Sequence, residues 1–438
     1  MRMHLVVIGG VAAGLSAASR ARKCNRDLKI TVYEKGPVIS YGACGMPYWV
    51  EGQVERQEDL VAYTPEFFNR ERNIDVRVNT AVEEIAHSRR RLRLATGEEI
   101  SYDRLVIATG ATPRISDISG TDAPHCFLAH TWTDFTLLEA FLRQRRPSTA
   151  VVVGAGFVGL EMAEALQSRG IRVTVVEAAQ HPLRWCEQWL TDRIRKRLEE
   201  FGVSLLTGYR ASAIHERGLD AIPADMVVLA TGIRPVTDLA AKAGIRLGRQ
   251  DAIVVDTHLE TNLPGVFAAG DCAETYNRIT DSPDWIPLGT TANKMGLIAG
   301  ANAAGRRERF PGIVGTSIVR VCNLAVATTG LSPTTARQNG FHPVAARVTA
   351  RSRAKYFQGE KLEVELVADR QSRRLLGAAI VGNSDVESRI NTVATALPQG
   401  LTVDEFQFTD LCYAPPYAPT WDPVLVAARQ LVNRLDEA

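Results

Sequence analysis

Two stretches of the chain repeat one pattern of apolar and polar positions. His4–Ile8 is a run of buried-strand type, followed at once by a glycine turn and a small-residue helix pattern over Ala12–Ala21. A second apolar strand, Ile30–Tyr33, then ends in an acid, Glu34. Ala150–Val153 opens the same series: glycine turn, helix Gly159–Ser168, strand Arg172–Val176, acid Glu177. Strand–helix–strand alternation of this kind predicts parallel sheets with crossover helices. Leu105–Gly110 (LVIATG) and Val227–Gly232 (VVLATG) are apolar strands ending in Ala-Thr-Gly, and Pro113 and Pro235 start loops after them. Past Pro311 the style changes. Alternation appears in Gly315–Val321, Leu362–Ala368 and Leu375–Val381, followed by a helical stretch Val386–Ala396.

These marks predict an α/β chain with two Rossmann-like dinucleotide-binding units, the second inserted in the first. The expected order is residues 1–115, an inserted unit 116–234, the resumed first unit 235–311, and an α+β domain 312–438 that forms a dimer interface. The balance of 45% hydrophobic and 23% charged residues is that of a globular protein. A formal net charge of +2 gives no bulk electrostatic case for nucleic acid. No run approaches the roughly 18 apolar residues of a membrane span, and MRMHLVVIGG reads as a first strand, not a leader. A cytoplasmic location is expected.

Gly154, Gly156 and Gly159 have the G-x-G-x-x-G spacing. The first glycine makes the tight turn, the second admits a pyrophosphate to the backbone, and the third lets helix and strand pack closely. The helix N-terminus supplies free N–H groups for phosphate. Glu177 stands about twenty residues on, where an acid meets ribose hydroxyls. Ala178-Ala179-Gln180 follow with no arginine for a 2′-phosphate, which favours NADH over NADPH. The first copy, IGGVAAG, keeps Gly9 and Gly14 but has Val11 in the middle, with Glu34 and Lys35 at the acid position. Gly265–Asp271 (GVFAAGD) ends a strand in an acid that can meet ribityl hydroxyls. Two nucleotide sites plus Asp271 predict FAD beside NAD(P)H, with Thr109, Gly110 and Gly232 in the turns that border them.

Seven cysteines, with no C-x-x-C or zinc-site spacing, read mostly as buried thiols. Cys44 is set apart by its small neighbours Gly42, Ala43 and Gly45, which let a flat ring approach the sulfur. A helix starting near it would favour the thiolate, the nucleophilic form.

The two fingerprints, the ATG strands, GVFAAGD and their order resemble the pyridine nucleotide–disulfide oxidoreductases. Usual members carry a C-x-x-x-x-C pair. The position five before Cys44 is Ile39, so the resemblance is to the single-cysteine branch of peroxidases, oxidases and CoA-linked reductases. Peroxidases and oxidases of that branch carry a histidine at the start of the first helix, and GVAAGLSAASR has none. SYGACGMPY and YAPPYAPTWDP (Tyr413–Pro423) are similar to coenzyme A-disulfide reductases. That resemblance implies a homodimeric flavoenzyme in which Cys44 forms a mixed disulfide with CoA, and Tyr413, with Tyr417, reaches the partner's cysteine. It also implies CoA contacts at Ser16, Arg20, Lys23, Ser40, Arg72, Asn293 and Lys294. With the chain ending at Ala438, a fused rhodanese-like extension is not expected. Alternatives are an oxidase or peroxidase cycling Cys44 through sulfenic acid, or a flavoprotein handing electrons to a protein partner.

Three departures stand out. Ala43 replaces a frequent Asn. An aromatic alcohol expected near Lys355–Gly359 is either Tyr356 or lost to Phe357. Cys412 directly precedes Tyr413, where a redox role competes with that of a buried thiol.

Overall fold

The computed structural model describes residues 2–115 and 117–437. Ser116, the expected start of the inserted unit, lies outside the described residues, as does Ala438. The first apolar strand, His4–Ile8, lies at the centre of a parallel sheet ordered Val266–Ala268, Arg104–Ile107, His4–Ile8, Lys29–Tyr33, Asp75–Arg77. The second sheet repeats the plan around Thr149–Val153, with Arg172–Glu177 and Ser204–Thr207 on one side and Met226–Leu229 and Cys126–Leu128 on the other. In both sheets the strand before the glycine turn is central, flanked by the acid-bearing strand and the ATG strand. Strands buried on both faces read as continuous apolar runs, which is why both units were visible in the sequence pattern.

The second sheet lies wholly within a break in the first. The chain leaves and re-enters through an antiparallel ribbon, Ala111–Pro113 against Ile233–Pro235. Thr109 Oγ1 donates to Val236 O at 2.6 Å across it, and the Thr231 hydroxyl bonds the Arg114 carbonyl. The two threonines of the ATG motifs therefore stitch the crossing, and Thr109, expected at the cofactor, spends its hydroxyl here. The third sheet is antiparallel, in the order Ser317–Val321, Leu324–Gly330, Leu375–Gly382, Lys361–Asp369, Pro343–Arg351. Helices Val386–Ala396 and Pro423–Asp436 pack on it to form a separate core. The sequence reading missed Leu324–Gly330, Pro343–Arg351 and the final helix. No helix among the described residues is long and apolar enough to cross a membrane.

One packing contact positions the site. Helix Ala12–Cys24 lies against helix Gly289–Ala303 at backbone distance. A Cβ added at Gly296 would meet Ala13 O at 2.3 Å, and one at Gly300 would meet Ala17 O at 2.1 Å. Only hydrogen fits at these crossings, because the opposing atoms are backbone and cannot rotate away. Gly300→Ala is therefore predicted to lower stability by about 1–3 kcal/mol, as overpacked cores do. Denaturant unfolding checks this, and an unchanged midpoint would show that the helices part freely.

Candidate active site

The two glycine turns are built alike. Gly9 and Gly154 adopt φ of +108° and +105°, and a Cβ there would meet the carbonyl of Ala108 at 2.1 Å or of Ala230 at 2.3 Å. Gly14 and Gly159 each press on the carbonyl of the turn's first glycine, where a Cβ would come within 1.9 Å. The acids are anchored alike as well. Glu34 Oε2 accepts from Gly10 N and Oε1 from Gly36 N, both at 2.7 Å. Glu177 Oε2 accepts from Ala155 N at 2.7 Å and Oε1 from Ala179 N at 2.8 Å. Each carboxylate oxygen keeps further lone pairs for ribose hydroxyls. Lys35 is exposed beside the first acid.

Both following helices begin without a side-chain cap, at Val11 and at Gly156. Elsewhere Thr131 caps its helix through its hydroxyl. Space beyond Gly156 is open: nothing lies within 4 Å of a Cβ placed there, nor at Gly110 or Gly232. Uncapped N–H groups facing open space suit phosphate. Gly270 packs on Ala13 and Ala292, where a Cβ would meet their methyls at 2.8 and 3.4 Å. Asp271 is thereby held where the two close-packed helices begin. Burial pushes its carboxyl above the usual range, with His130 pulling it back. The residues fit two dinucleotides, one of them next to Asp271.

The cysteine segment is tied to the first turn. Ser40, at φ +50°, donates its N–H to Gly10 O at 3.1 Å and accepts from Ala62 N at 2.8 Å. Cys44 follows in a short 3-10 turn, Ala43–Gly45, and helix Met46–Glu51 starts only after it. The thiol is free and accessible. The position five after it is Trp49, so neither direction offers a second cysteine. The expected preference for thiolate is not what surrounds it. Desolvation by the neighbouring protein pushes the Cys44 thiol up, and Glu161 and Asp271 push it further.

Glu161 is the site residue that motif reading missed. It lies on helix Phe157–Ser168, just past the third glycine. Tyr48 Oη donates to Glu161 Oε1 at 3.2 Å. Arg320, from strand Ser317–Val321 of the third sheet, stacks over the Tyr48 ring at 4.7 Å. It also pairs closely with Glu51 and lies 3.1 Å from the buried Glu164. Burial raises Glu161 to about 7, with Tyr48 and Arg320 opposing and Glu164 adding to the rise. Tyr48 is pushed up to about 12, by burial first and then Glu161. The available signal was two acids, Glu161 and Glu164, three apart in an otherwise apolar helix.

The residues expected to contact CoA fall around the same two helices. Ser16 Oγ donates to Asn293 Oδ1 at 2.8 Å, so that pair is brought together. Arg72 Nη1 donates to Ser19 Oγ at 2.7 Å, and its guanidinium packs on Tyr63, Phe67 and Phe68 at 5.0, 5.1 and 4.9 Å. Lys23 and Lys294 are exposed. Arg20 is paired with Glu308. Tyr413 and Tyr417 stand exposed on the C-terminal segment, with Cys412 also at the surface. Arg353 Nη1 donates to Pro416 O at 3.4 Å, which ties that segment to the loop carrying the exposed Tyr356 and Phe357. Arg184, unnoticed after Glu177, is exposed next to Leu183, whose N–H donates to Ala155 O at 3.0 Å in the second turn.

Paired nucleotide cradles, the first tied to the segment of the accessible Cys44, define an NAD(P)H-dependent flavin oxidoreductase. The chain belongs to the pyridine nucleotide-disulphide oxidoreductases: that family's model matches residues 3–303, and its dimerisation domain matches residues 316–423. The CoA-dependent NAD(P)H sulfur oxidoreductase of Pyrococcus furiosus is 37% identical over 442 residues, 98% of this chain and 99% of its own length. An NADH oxidase of Methanocaldococcus jannaschii is 33% identical over 447 residues, 99% of each. The NAD-dependent persulfide reductase from A. fulgidus superposes with a TM-score of 0.96 at 35% identity, over 99% of this chain and 84% of that one. The resemblance to coenzyme A-disulfide reductases read from the motifs holds in these relatives.

Glu161→Gln removes the carboxylate that raises the thiol most. It is predicted to move the pH midpoint for alkylation of Cys44 downward, and an unchanged midpoint would remove Glu161 from the thiol's field. The linkage has a definite sign. A carboxyl raised in the fold from 4.5 to about 7 contributes stability below pH 4.5 that is lost as pH rises through about 7. The Gln variant is predicted to lack that decline in unfolding measured between pH 5 and 8.

Proposed function

We propose that the chain is a homodimeric, FAD-dependent reductase of CoA disulfide and CoA persulfide or polysulfide, working through a Cys44–S–S–CoA mixed disulfide. The observation that carries this is the accessible Cys44, in a segment tied to the first glycine turn by the Ser40–Gly10 hydrogen bond; Ser16, Arg20, Arg72 and Asn293 offer polar and cationic groups suited to a phosphorylated thiol. The Cys44 thiolate attacks CoA–S–S–R, the S–S bond breaks, and RS⁻ leaves as a thiol after taking a proton. Gly9, Gly14, Glu34 and Asp271 would hold FAD, which when bound would supply two electrons taken as hydride from the nicotinamide. Reductive cleavage of the mixed disulfide returns the Cys44 thiolate and CoA thiol.

Tyr413 of the partner subunit, with Tyr417, donates the proton to the departing sulfur. Their exposure on one protomer and their place within the dimerisation domain support this reading. Glu161, raised to about 7, is partly protonated near neutral pH, which lessens the negative charge facing the sulfur. Glu177 suits the free ribose hydroxyls of NADH, and Arg184 offers a cation to the 2′-phosphate of NADPH. A reducing cytoplasm fits an enzyme that keeps small thiols reduced.

The oxidase reading, favoured by the M. jannaschii relative, needs Cys44 as sulfenic acid and no CoA. Cys44→Ser is predicted to keep FAD and its reduction by NADH but to lose disulfide turnover. Normal turnover in that variant would sink the single-cysteine mechanism. Tyr413→Phe is predicted to slow turnover about 10²-fold, the scale of general acid catalysis. A wild-type rate would remove it from the proton path.

A further inference from the structure

Arg20, one of the cations read as a CoA contact, is already engaged. Arg20 Nη2 donates to Glu308 Oε1 at 2.7 Å, with both side chains about one-third exposed, at 37% and 35%. Glu308 is not a drifting surface acid. Its N–H donates to Asn302 Oδ1 at 2.7 Å, and its carbonyl accepts from Asn302 Nδ2 at 2.8 Å and from His258 Nδ1 at 2.9 Å. Asn302 is itself buried, and Phe310 anchors the segment in the first core. The flanking Arg306, Arg307 and Arg309 are exposed and make no ion pair among the described residues. One carboxylate on an anchored backbone thus stands among three exposed arginines, and it is paired with Arg20.

We propose that Glu308 is a competing carboxylate that weakens capture of the CoA 3′-phosphate at Arg20. This inference rests on the CoA reading and adds a specificity determinant to it. A phosphomonoester that approaches Arg20 must displace or share the guanidinium with a carboxylate held in place by its backbone, and like charges repel at that distance. The consequence suits this chemistry. CoA is substrate and product, and its bond to sulfur holds it through the cycle. Weak phosphate binding lets the thiol leave once that bond is cut. A surface pair of this kind is worth up to about 1 kcal/mol, which sets the size of the effect.

The test is Glu308→Gln, an isosteric change at a partly exposed position, with a melting curve as the control for folding. The KM for CoA disulfide and the inhibition constant of CoA are expected to fall about 3- to 5-fold. The KM for 3′-dephospho-CoA disulfide is expected to stay, and the effect is expected to vanish in an Arg20→Gln background. A rise, no change, an equal fall for both substrates, or persistence without Arg20 would overturn the inference while the CoA reading stood. Failure of the wild-type enzyme to turn over either CoA substrate would overturn that reading, and this inference with it.

Discussion

The contact between helix Ala12–Cys24 and helix Gly289–Ala303 is the constraint on which the site depends. Gly296 and Gly300 let the two backbones meet at Ala13 and Ala17. Because the helices touch, their starts converge on Gly270 and Asp271, and their flanks bring Ser16 to Asn293. The uncapped end of the first helix faces the first glycine turn, and its far end carries Arg20 and Lys23. One helix therefore links the flavin cradle to the surface proposed for substrate phosphate. Larger residues at the two glycines would open this contact and misalign both ends together.

Charge is distributed unevenly around that helix. Near Cys44 the protein places Glu161 and Asp271, and behind Glu161 the guanidinium of Arg320, supplied by the third sheet, pairs with Glu51 and Glu164. Burial, with Glu164 adding to it, raises Glu161 to about 7, so it is only partly ionised at neutral pH and the sulfur meets less negative charge than a count of acids suggests. At the far end the balance reverses: Lys23 and the arginines of 306–309 are exposed, and Glu308 pairs with Arg20. The sulfur end is tuned through protonation and the phosphate end through a fixed counter-ion.

The dinucleotide units were legible in sequence because buried parallel strands, glycine turns and terminal acids are local features with a fixed order. The same holds for the isolation of Cys44, which a count of neighbouring residues reveals. What stayed hidden depends on residues far apart in the chain. Arg320 reaches Glu51 and Glu164 from another sheet, and Glu308 reaches Arg20 across 288 positions. Arg184 returns to the second glycine turn only because Leu183 is bonded to Ala155. The thiol's environment ran against expectation for the same reason. The helix begins at Met46, past the sulfur, and the acids that face it belong to other segments. The strands missed in the third sheet, Leu324–Gly330 and Pro343–Arg351, mix small and polar residues that carry no clean alternation.

Intact mass of the denatured, unreduced protein tests the proposed chemistry most directly. A gain of one disulfide-linked CoA, released by thiol treatment and absent from Cys44→Ser, is the expected result. A bare or singly oxygenated Cys44 after incubation with CoA disulfide would contradict the mixed-disulfide mechanism and turn attention to oxygen or peroxide as the acceptor.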